Sequence, residues 1–381
     1  MAVALIEDII KNIRTQPLAE VVKTWSDLEK MGRQANNLDR VIHLLCKADL
    51  AYLLIRVCKR KDLAHEWAYA RIREVEAEPN GRIDLWAREH NKSSIITFGQ
   101  TISDILNDPN VTIGIFSHTR PIAKAFLRQI MREFEENVVL HNAFPDVLWG
   151  KNVKQSPKWS EDDGIIVKRS GNPKEATIEA YGLVDGQPTS KHYQILIYDD
   201  IVVRESVTTP EMIAKTMSGL EQSYNLGVTP GGVRRFIGTR WHFSDAYATV
   251  KERRTAIPRE HPGKEGGTNE GKSVLWSEEI HEEKRRSMGI YNYASQILLN
   301  PKEDSLQGFN REWIQHYNNV NEKKLNKYIV VDAASSKKKG SDYTAMWVIG
   351  VGGDNNYYVL DMVRDRLNLR ERGDALFTLH R

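Results

Sequence analysis

Trp86-Ala87-Arg88-Glu89-His90-Asn91-Lys92-Ser93 is the stretch that decides how the rest of the chain is read. A short apolar run, Ile83 to Ala87, leads into it, and a helix-like segment, Lys92 to Ile105, leads out. A strand that turns straight into a helix aims the helix's unpaired N–H groups and positive dipole end at whatever lies in front. A phosphate-binding loop needs that context, with Lys adding a point charge and the next Ser or Thr holding Mg²⁺. Against the pattern G-x-x-x-x-G-K-[ST], Trp86 and Asn91 replace both glycines. Asn tolerates positive φ better than most residues, so Asn91 can stand where the second Gly is required. Taken alone, the segment also reads as an ordinary lysine at a helix start, with Trp86 as wall or core.

A second segment gives the first one partners. Ile195-Leu196-Ile197-Tyr198-Asp199-Asp200 is a continuous apolar run, as a strand buried on both faces requires, and it ends in two carboxylates. In a nucleoside triphosphatase the first acid organises Mg²⁺ together with Ser93, and the second orients or deprotonates the attacking water. Farther on, Phe236-Ile237-Gly238-Thr239-Arg240-Trp241-His242 ends another strand in a small polar pair, Gly238 and Thr239, suited to sensing the γ-phosphate.

Outward from these motifs the texture is that of an α/β chain. Residues 1–75 read as helices, with Val3, Ile6, Ile10 and Ile13, then Val41, Leu44, Leu45 and Ala48, at helical spacing. Val111 to Phe116 is a strand, followed by a helix in which Ile122, Phe126, Ile130 and Phe134 form one stripe. Ile165 to Val167 and Ala176 to Tyr181 read as paired strands, and Arg235 to Gly238 as a further one. Strands alternating with helices predict a parallel sheet. Residues 255–273 carry Pro258, Pro262, Gly263, Gly266, Gly267 and Gly271 and read as a mobile loop or linker, with a helical segment from Ser277 to Leu299 behind it. Tyr328 to Val331, Thr344 to Val351 and Tyr357 to Val363 then form a meander that opens a second domain.

The bulk numbers agree with a folded, non-membrane chain. The 381 residues are 40% apolar and 28% charged, with a net charge of +3. That balance neither demands nor excludes nucleic acid, because a DNA-gripping surface needs a local basic stripe, not a high total. Cys46 and Cys58 have no metal spacing and read as core residues of a protein from a reducing compartment. The longest apolar run, Leu50 to Val57, is flanked or broken by Lys47, Asp49 and Arg56 and predicts no membrane span.

In this order the motifs resemble a large terminase subunit, the DNA-packaging ATPase and nuclease of tailed bacteriophages and prophages. The likeness runs over most of the chain. Arg88 to Ser93 is similar to that family's variant phosphate loop, which carries an early arginine and often lacks the first glycine. Ser117-His118-Thr119, with Ala123, Phe126 and Leu127 after it, resembles the strand-to-helix turn that follows. Asp199-Asp200-Ile201-Val202 resembles the metal-binding strand, and Gly238-Thr239-Arg240-Trp241-His242 the coupling motif. Tyr293-Ala294-Ser295-Gln296 with Asn300-Pro301 looks like the segment before the nuclease domain. Tyr328 to Ser335, with Asp332 at the strand end, then Ser341-Asp342-Tyr343-Thr344-Ala345, resembles the first two strands of an RNase H-like nuclease.

The resemblance implies an ASCE-type P-loop ATPase followed by the start of an RNase H-like domain. The expected division is 1–75 as the helical N-terminal part, 76–254 as the sheet core, 255–326 as lid and linker, and 327–381 as a partial nuclease domain. ATP is expected on Arg88, Glu89, His90, Asn91, Lys92, Ser93 and Ser94, with Mg²⁺ on Ser93 and Asp199. Asp200 is expected to act on the water, Glu205 is the alternative base, and Arg88 senses phosphate charge in cis. Gly238 and Thr239 carry the coupling. Asp332 and Asp342 are expected on the nuclease's Mg²⁺ or Mn²⁺. The implied partners are double-stranded DNA, a portal protein, a small terminase subunit and further copies in a ring on the procapsid. The implied location is the host bacterial cytoplasm, with no membrane and no place in the mature virion.

Departures from the family's pattern are Asn91 for Gly, Asp200 for a more usual Glu one methylene longer, and an end at Arg381 before the later nuclease strands. Arg120 and Arg204 are candidates for a finger acting in trans. His90 and His242 read as packing or hydrogen-bonding residues. Lys337-Lys338-Lys339, and Lys251 with Arg253 and Arg254, are candidate DNA-phosphate contacts. Two other classes fit less well: a helicase-like translocase, against which the meander at Tyr328 argues, and a non-catalytic prophage remnant, which the missing glycines would suit.

Overall fold

The computed structural model describes residue 9 and residues 12–301, 314–334 and 343–380, and it divides into two units at Gly308/Phe309. In the first unit, helices Leu18–Gln34 (α1), Leu38–Ala48 (α2) and Glu66–Ala77 (α3) bury Val41, Leu44 and Leu45, as their spacing predicts, and Val21, Trp25, Leu28, Ile72 and Val75 besides, while Val3, Ile6 and Ile10 lie outside the described residues. Asp49 is buried between them but not uncompensated. It accepts from Trp25 Nε1 at 3.0 Å and Tyr52 N at 3.0 Å and pairs with Arg73 at 2.9 Å. Among the described residues, no helix is long and apolar enough to cross a membrane.

Eight strands form the sheet of this unit: Arg82–Trp86 (β1), Ile113–Ser117 (β2), Trp159–Ser160 (β3), Gly164–Ile165 (β4), Ile178–Gly182 (β5), Ile195–Asp199 (β6), Val233–Gly238 (β7) and Ile257–His261 (β8). Their order is β3-β4-β5-β2-β6-β7-β1-β8. From β5 to β8 every pairing is parallel, and β3 and β4 add an antiparallel edge. One strand, β7, lies between the strand feeding the phosphate-type loop and the strand ending in Asp199, which is the ASCE-type order.

The continuous apolar text of β6 has the reason expected for it. Ile195 and Ile197 enter one core with Ile95, Ile115, Leu127 and the N-terminal helices, while Leu196 and Tyr198 enter another with Phe236, Leu220 and Tyr247. Each fully buried aliphatic side chain of this kind contributes about 1.5–3 kcal/mol. Helices Thr101–Asn107 (α4) and Arg120–Glu136 (α5) lie on the first side, and Pro210–Ser223 (α6) and Ala246–Glu252 (α7) on the second. On α5 the buried stripe is Ala123, Leu127, Ile130 and Phe134. Ile130 and Phe134 are buried as the sequence reading has them, but Ile122 is exposed and Phe126 only partly covered, so in the first two turns the buried positions are the next residues along.

The largest correction concerns residues 255–273. Ile257–His261 is not linker but strand β8, in register with β1 from Arg82↔Ile257 to Trp86↔His261. The sheet core therefore runs past residue 254. An edge strand tolerates Pro258, because one side of its backbone needs no partner. Arg259 pins the strand, with Nε 2.5 Å from Asp84 Oδ1 and Nη2 2.9 Å from Asp84 Oδ2. The helical segment after it is two helices, Glu278–Met288 (α8) and Ile290–Gln296 (α9), broken at Gly289 where φ is 76°.

The second unit is the predicted meander: Asn326–Asp332 (β9), Thr344–Val351 (β10) and Tyr357–Asp365 (β11), antiparallel in the order β11-β10-β9, followed by helix Leu369–His380 (α10). Asp332 is exposed at the end of edge strand β9, opposite Ala345. Asp361 lies opposite Val348, three residues along β10, so register puts it on the other face of the sheet. Asp342 and Lys337-Lys338-Lys339 lie outside the described residues. Among the described residues no three His, Cys, Asp or Glu gather into a metal-type group.

Candidate active site

Between β1 and its helix the backbone makes the turn a phosphate loop requires without glycine. Glu89 and Asn91 take φ of 63° and 61°, so Asn91 fills the left-handed position expected of it. Helix begins at Lys92 and runs through a π-helical stretch, Ser94–Gln100, into α4. Such wide turns occur often at functional sites. Ser93 and Thr97, one turn apart, both face the end of β6. Ser93 Oγ donates to Asp199 Oδ1 at 3.0 Å and Thr97 Oγ1 donates to Asp199 Oδ2.

Asp199 has no exposed surface. Burial first, then the neighbouring Asp200 carboxylate, push its carboxyl up to about 7, against the opposing pull of Lys92 and the two hydroxyl donors. Asp200 sits in a left-handed turn with φ 48°, a conformation that Asp adopts more readily than most non-glycine residues and that recurs at functional sites. Its Oδ1 is buried without a hydrogen bond, and Lys92 Nζ lies 3.8 Å from it. Lys92 is itself buried, at 7% exposure, although it stands at a helix start. The turn at Asp200 aims a carboxylate back over the loop, and the ammonium folds onto it.

The other predicted residues divide by where their side chains go. Arg88 is exposed, with Nη1 2.9 Å from Gln296 Oε1 and its backbone N–H on Gln296 O at 2.9 Å. Glu89 forms an ion pair with Lys284 of α8 at 2.7 Å. His90 turns inward, as a packing residue does. Its ring lies 5.3 Å from that of Trp67 and 4.6 Å from that of Trp276, and burial lowers its pKa to about 4. Trp86 is core, edge-on to Trp67. Ser94 Oγ accepts from Arg60 at 2.8 Å. Glu205 is exposed in the short helix Glu205–Val207, five residues past Asp200.

Gly238 is glycine because the Tyr247 ring packs against it: a Cβ there would collide with the Tyr247 hydroxyl oxygen. That hydroxyl donates to Ile237 O at 2.8 Å and accepts from Ile201 N at 3.2 Å, tying the end of β7 to the segment after Asp200. Thr239 is buried beside it, and the following turn is organised by Asp245, which accepts from Arg240, Trp241 N and His242 N. Arg120 is held within the chain by Asp162, and Lys251 and Arg253 are paired with Glu260 and Glu221.

Sequence reasoning missed Thr97, Lys284 and Gln296 as neighbours of the loop. Thr97 was within reach, since it follows Ser93 by the four residues that share a helix face. The other two come from elements far along the chain, and nothing local announces them.

The class these features define is an α/β fold of ASCE strand order, in which Lys92, Ser93, Asp199 and Asp200 converge at the ends of β1 and β6. No family model matches the chain, and no curated protein matches its sequence. In structure it is similar to the large terminase from a thermophilic bacteriophage solved in complex with ADP, at 11% identity and TM-score 0.39, covering 79% of this chain and 68% of that one. It is also similar to the large terminase of bacteriophage HK97, at 13% identity and TM-score 0.38, covering 77% of this chain and 60% of that one.

Proposed function

We propose that the chain is an ATP-hydrolysing DNA-packaging motor subunit of the large-terminase type. The observation that carries the hydrolase part is the convergence of Lys92 on Asp200 and of Ser93 on Asp199. The order of motifs from Arg88 to Asp332 supports the packaging part. The loop's N–H groups and Lys92 bind the β- and γ-phosphates. Ser93 and Asp199 are an all-oxygen donor pair, and the adjacent Asp200 Oδ1 lacks a hydrogen-bond donor, so the residues present fit Mg²⁺. When bound there, the ion neutralises charge on the phosphate oxygens. Asp200 takes the proton of the attacking water, Arg88 stabilises the charge that develops on the phosphate, and Gly238-Thr239 pass on the loss of that phosphate. Double-stranded DNA is gripped by its phosphates, since a packaging motor accepts any sequence. The portal, the small subunit and further copies in a ring on a procapsid in the host cytoplasm belong to the same proposal, as does Asp332 as one ligand of a nuclease-type metal site, too little on its own to cleave DNA.

Lys92→Ala tests the hydrolase reading. ATP turnover, measured as phosphate release with and without double-stranded DNA, should vanish while the circular dichroism spectrum is kept. Wild-type turnover by a folded Lys92→Ala protein overturns it.

A further inference from the structure

A cleft of about 440 Å³ opens beside the loop, and its lining places three cations from separate parts of the chain around one space: Arg88, Arg204 and Lys284. Glu89 is the one acid among the described lining residues. Arg204 follows Asp200 by four residues, and Trp241, also in the lining, follows Thr239 by two. The cleft therefore adjoins the side of the loop where β6 and β7 end. A nucleotide held by the loop points its terminal phosphate towards those strand ends.

Lys284 is held ready in this cleft. Its Nζ lies 2.8 and 2.7 Å from the two Glu89 oxygens and 5.4 Å from the centre of the Trp276 ring. Trp276 in turn packs on His90, on the underside of the same loop. The Lys284 and Glu89 side chains are 28% and 55% exposed, so water screens the pair and it is cheap to break. A terminal phosphate carries more charge than one carboxylate and offers more acceptor oxygens. We infer that Lys284 exchanges Glu89 for the terminal phosphate of a nucleoside triphosphate, so that α8 senses triphosphate against diphosphate, an assignment that rests on the loop binding ATP.

The test is equilibrium binding of ADP and of ATPγS, with Mg²⁺, to the full chain and to Lys284→Gln, Glu89→Gln and Lys92→Ala. Lys284→Gln should weaken ATPγS about tenfold and leave ADP within about twofold, as loss of one charge-assisted hydrogen bond predicts. Glu89→Gln should act in the opposite sense, strengthening ATPγS, because it frees Lys284 and removes a negative charge from the cleft. A pair that merely latches the loop would make the two variants behave alike. Equal loss of ADP and ATPγS in Lys284→Gln, or weaker ATPγS in Glu89→Gln, overturns the inference while Lys92→Ala still abolishes binding. If Lys92→Ala binds both nucleotides like wild type, the proposed function itself falls.

Discussion

Arg259→Ala asks whether β8 is part of the fold, as the structure has it, or a dispensable linker. The wild-type guanidinium makes two bonds to Asp84, at 2.5 and 2.9 Å, and a third to Glu74 O at 2.8 Å. Asp84 is 2% exposed, and after the substitution its remaining side-chain donor is Trp86 Nε1 at 3.0 Å. Breaking one side of a buried pair leaves an uncompensated charge, which costs about 3–5 kcal/mol. Burial already holds the Asp84 carboxyl above its ordinary range despite Arg259. A carboxyl with a higher pKa folded than unfolded contributes fully below its unfolded pKa, and that contribution is lost as pH rises from there through the folded pKa. Without Arg259 the folded pKa climbs further, so the deficit should be largest at neutral pH and shrink as the solution is acidified. The assay is urea denaturation of both proteins at neutral and at acid pH. Asp84→Asn on the Arg259→Ala background removes the stranded charge and should recover about half of the loss or more. A deficit under about 1 kcal/mol at neutral pH, unchanged by acid, would match a surface residue and refute the account of β8.

Asp200→Asn should bind nucleotide and fail to turn it over; normal turnover by it, with loss in Glu205→Gln, would make Glu205 the base instead. His90 has a folded pKa of about 4 against 6.5 unfolded, so its contribution is intact above pH 6.5 and is lost as pH falls through that window, by about 3 kcal/mol. His90→Phe should flatten that part of the stability profile, and an unchanged acid limb counts against a neutral buried ring. Plasmid digestion with Mn²⁺ should show no cleavage by this chain, since among the described residues Asp332 has no cluster of acids gathered beside it to hold a two-metal site; cleavage that disappears in Asp332→Ala would reverse that expectation.

How much of this could be read beforehand depends on whether the signal was local. Lys92, Ser93, Asp199 and Asp200 were legible because each stands at a strand end or helix start, where the backbone dictates direction. Asn91 was legible for the same reason, as a position needing positive φ. The burial of Lys92 was not, because it follows from the left-handed turn at Asp200, more than a hundred residues away. Strand β8 was hidden by Pro258 and by the Gly-rich text after it, and its exposed Ile257 gives no apolar pattern. What holds it is an arginine, a residue type that strand periodicity ignores. On α5 the stripe read from the sequence held at Ile130 and Phe134 and was off by one position at Ile122 and Phe126, since neighbouring apolar residues compete for the same face and only packing against β5 and β2 chooses between them.

One tyrosine takes away a degree of freedom. The Tyr247 hydroxyl grips the amide of Ile201 and the carbonyl of Ile237 together, so the two strand-end turns form a single rigid fork. The prong with Asp200 cannot slide past the prong with Gly238 without breaking two buried hydrogen bonds at once, in a core with no room for even a methyl group at Gly238. The same connection continues into the Arg240–Asp245 turn, where Trp241 O accepts from Tyr291 of α9 at 3.1 Å, so the two strand ends and that helix share one chain of hydrogen bonds.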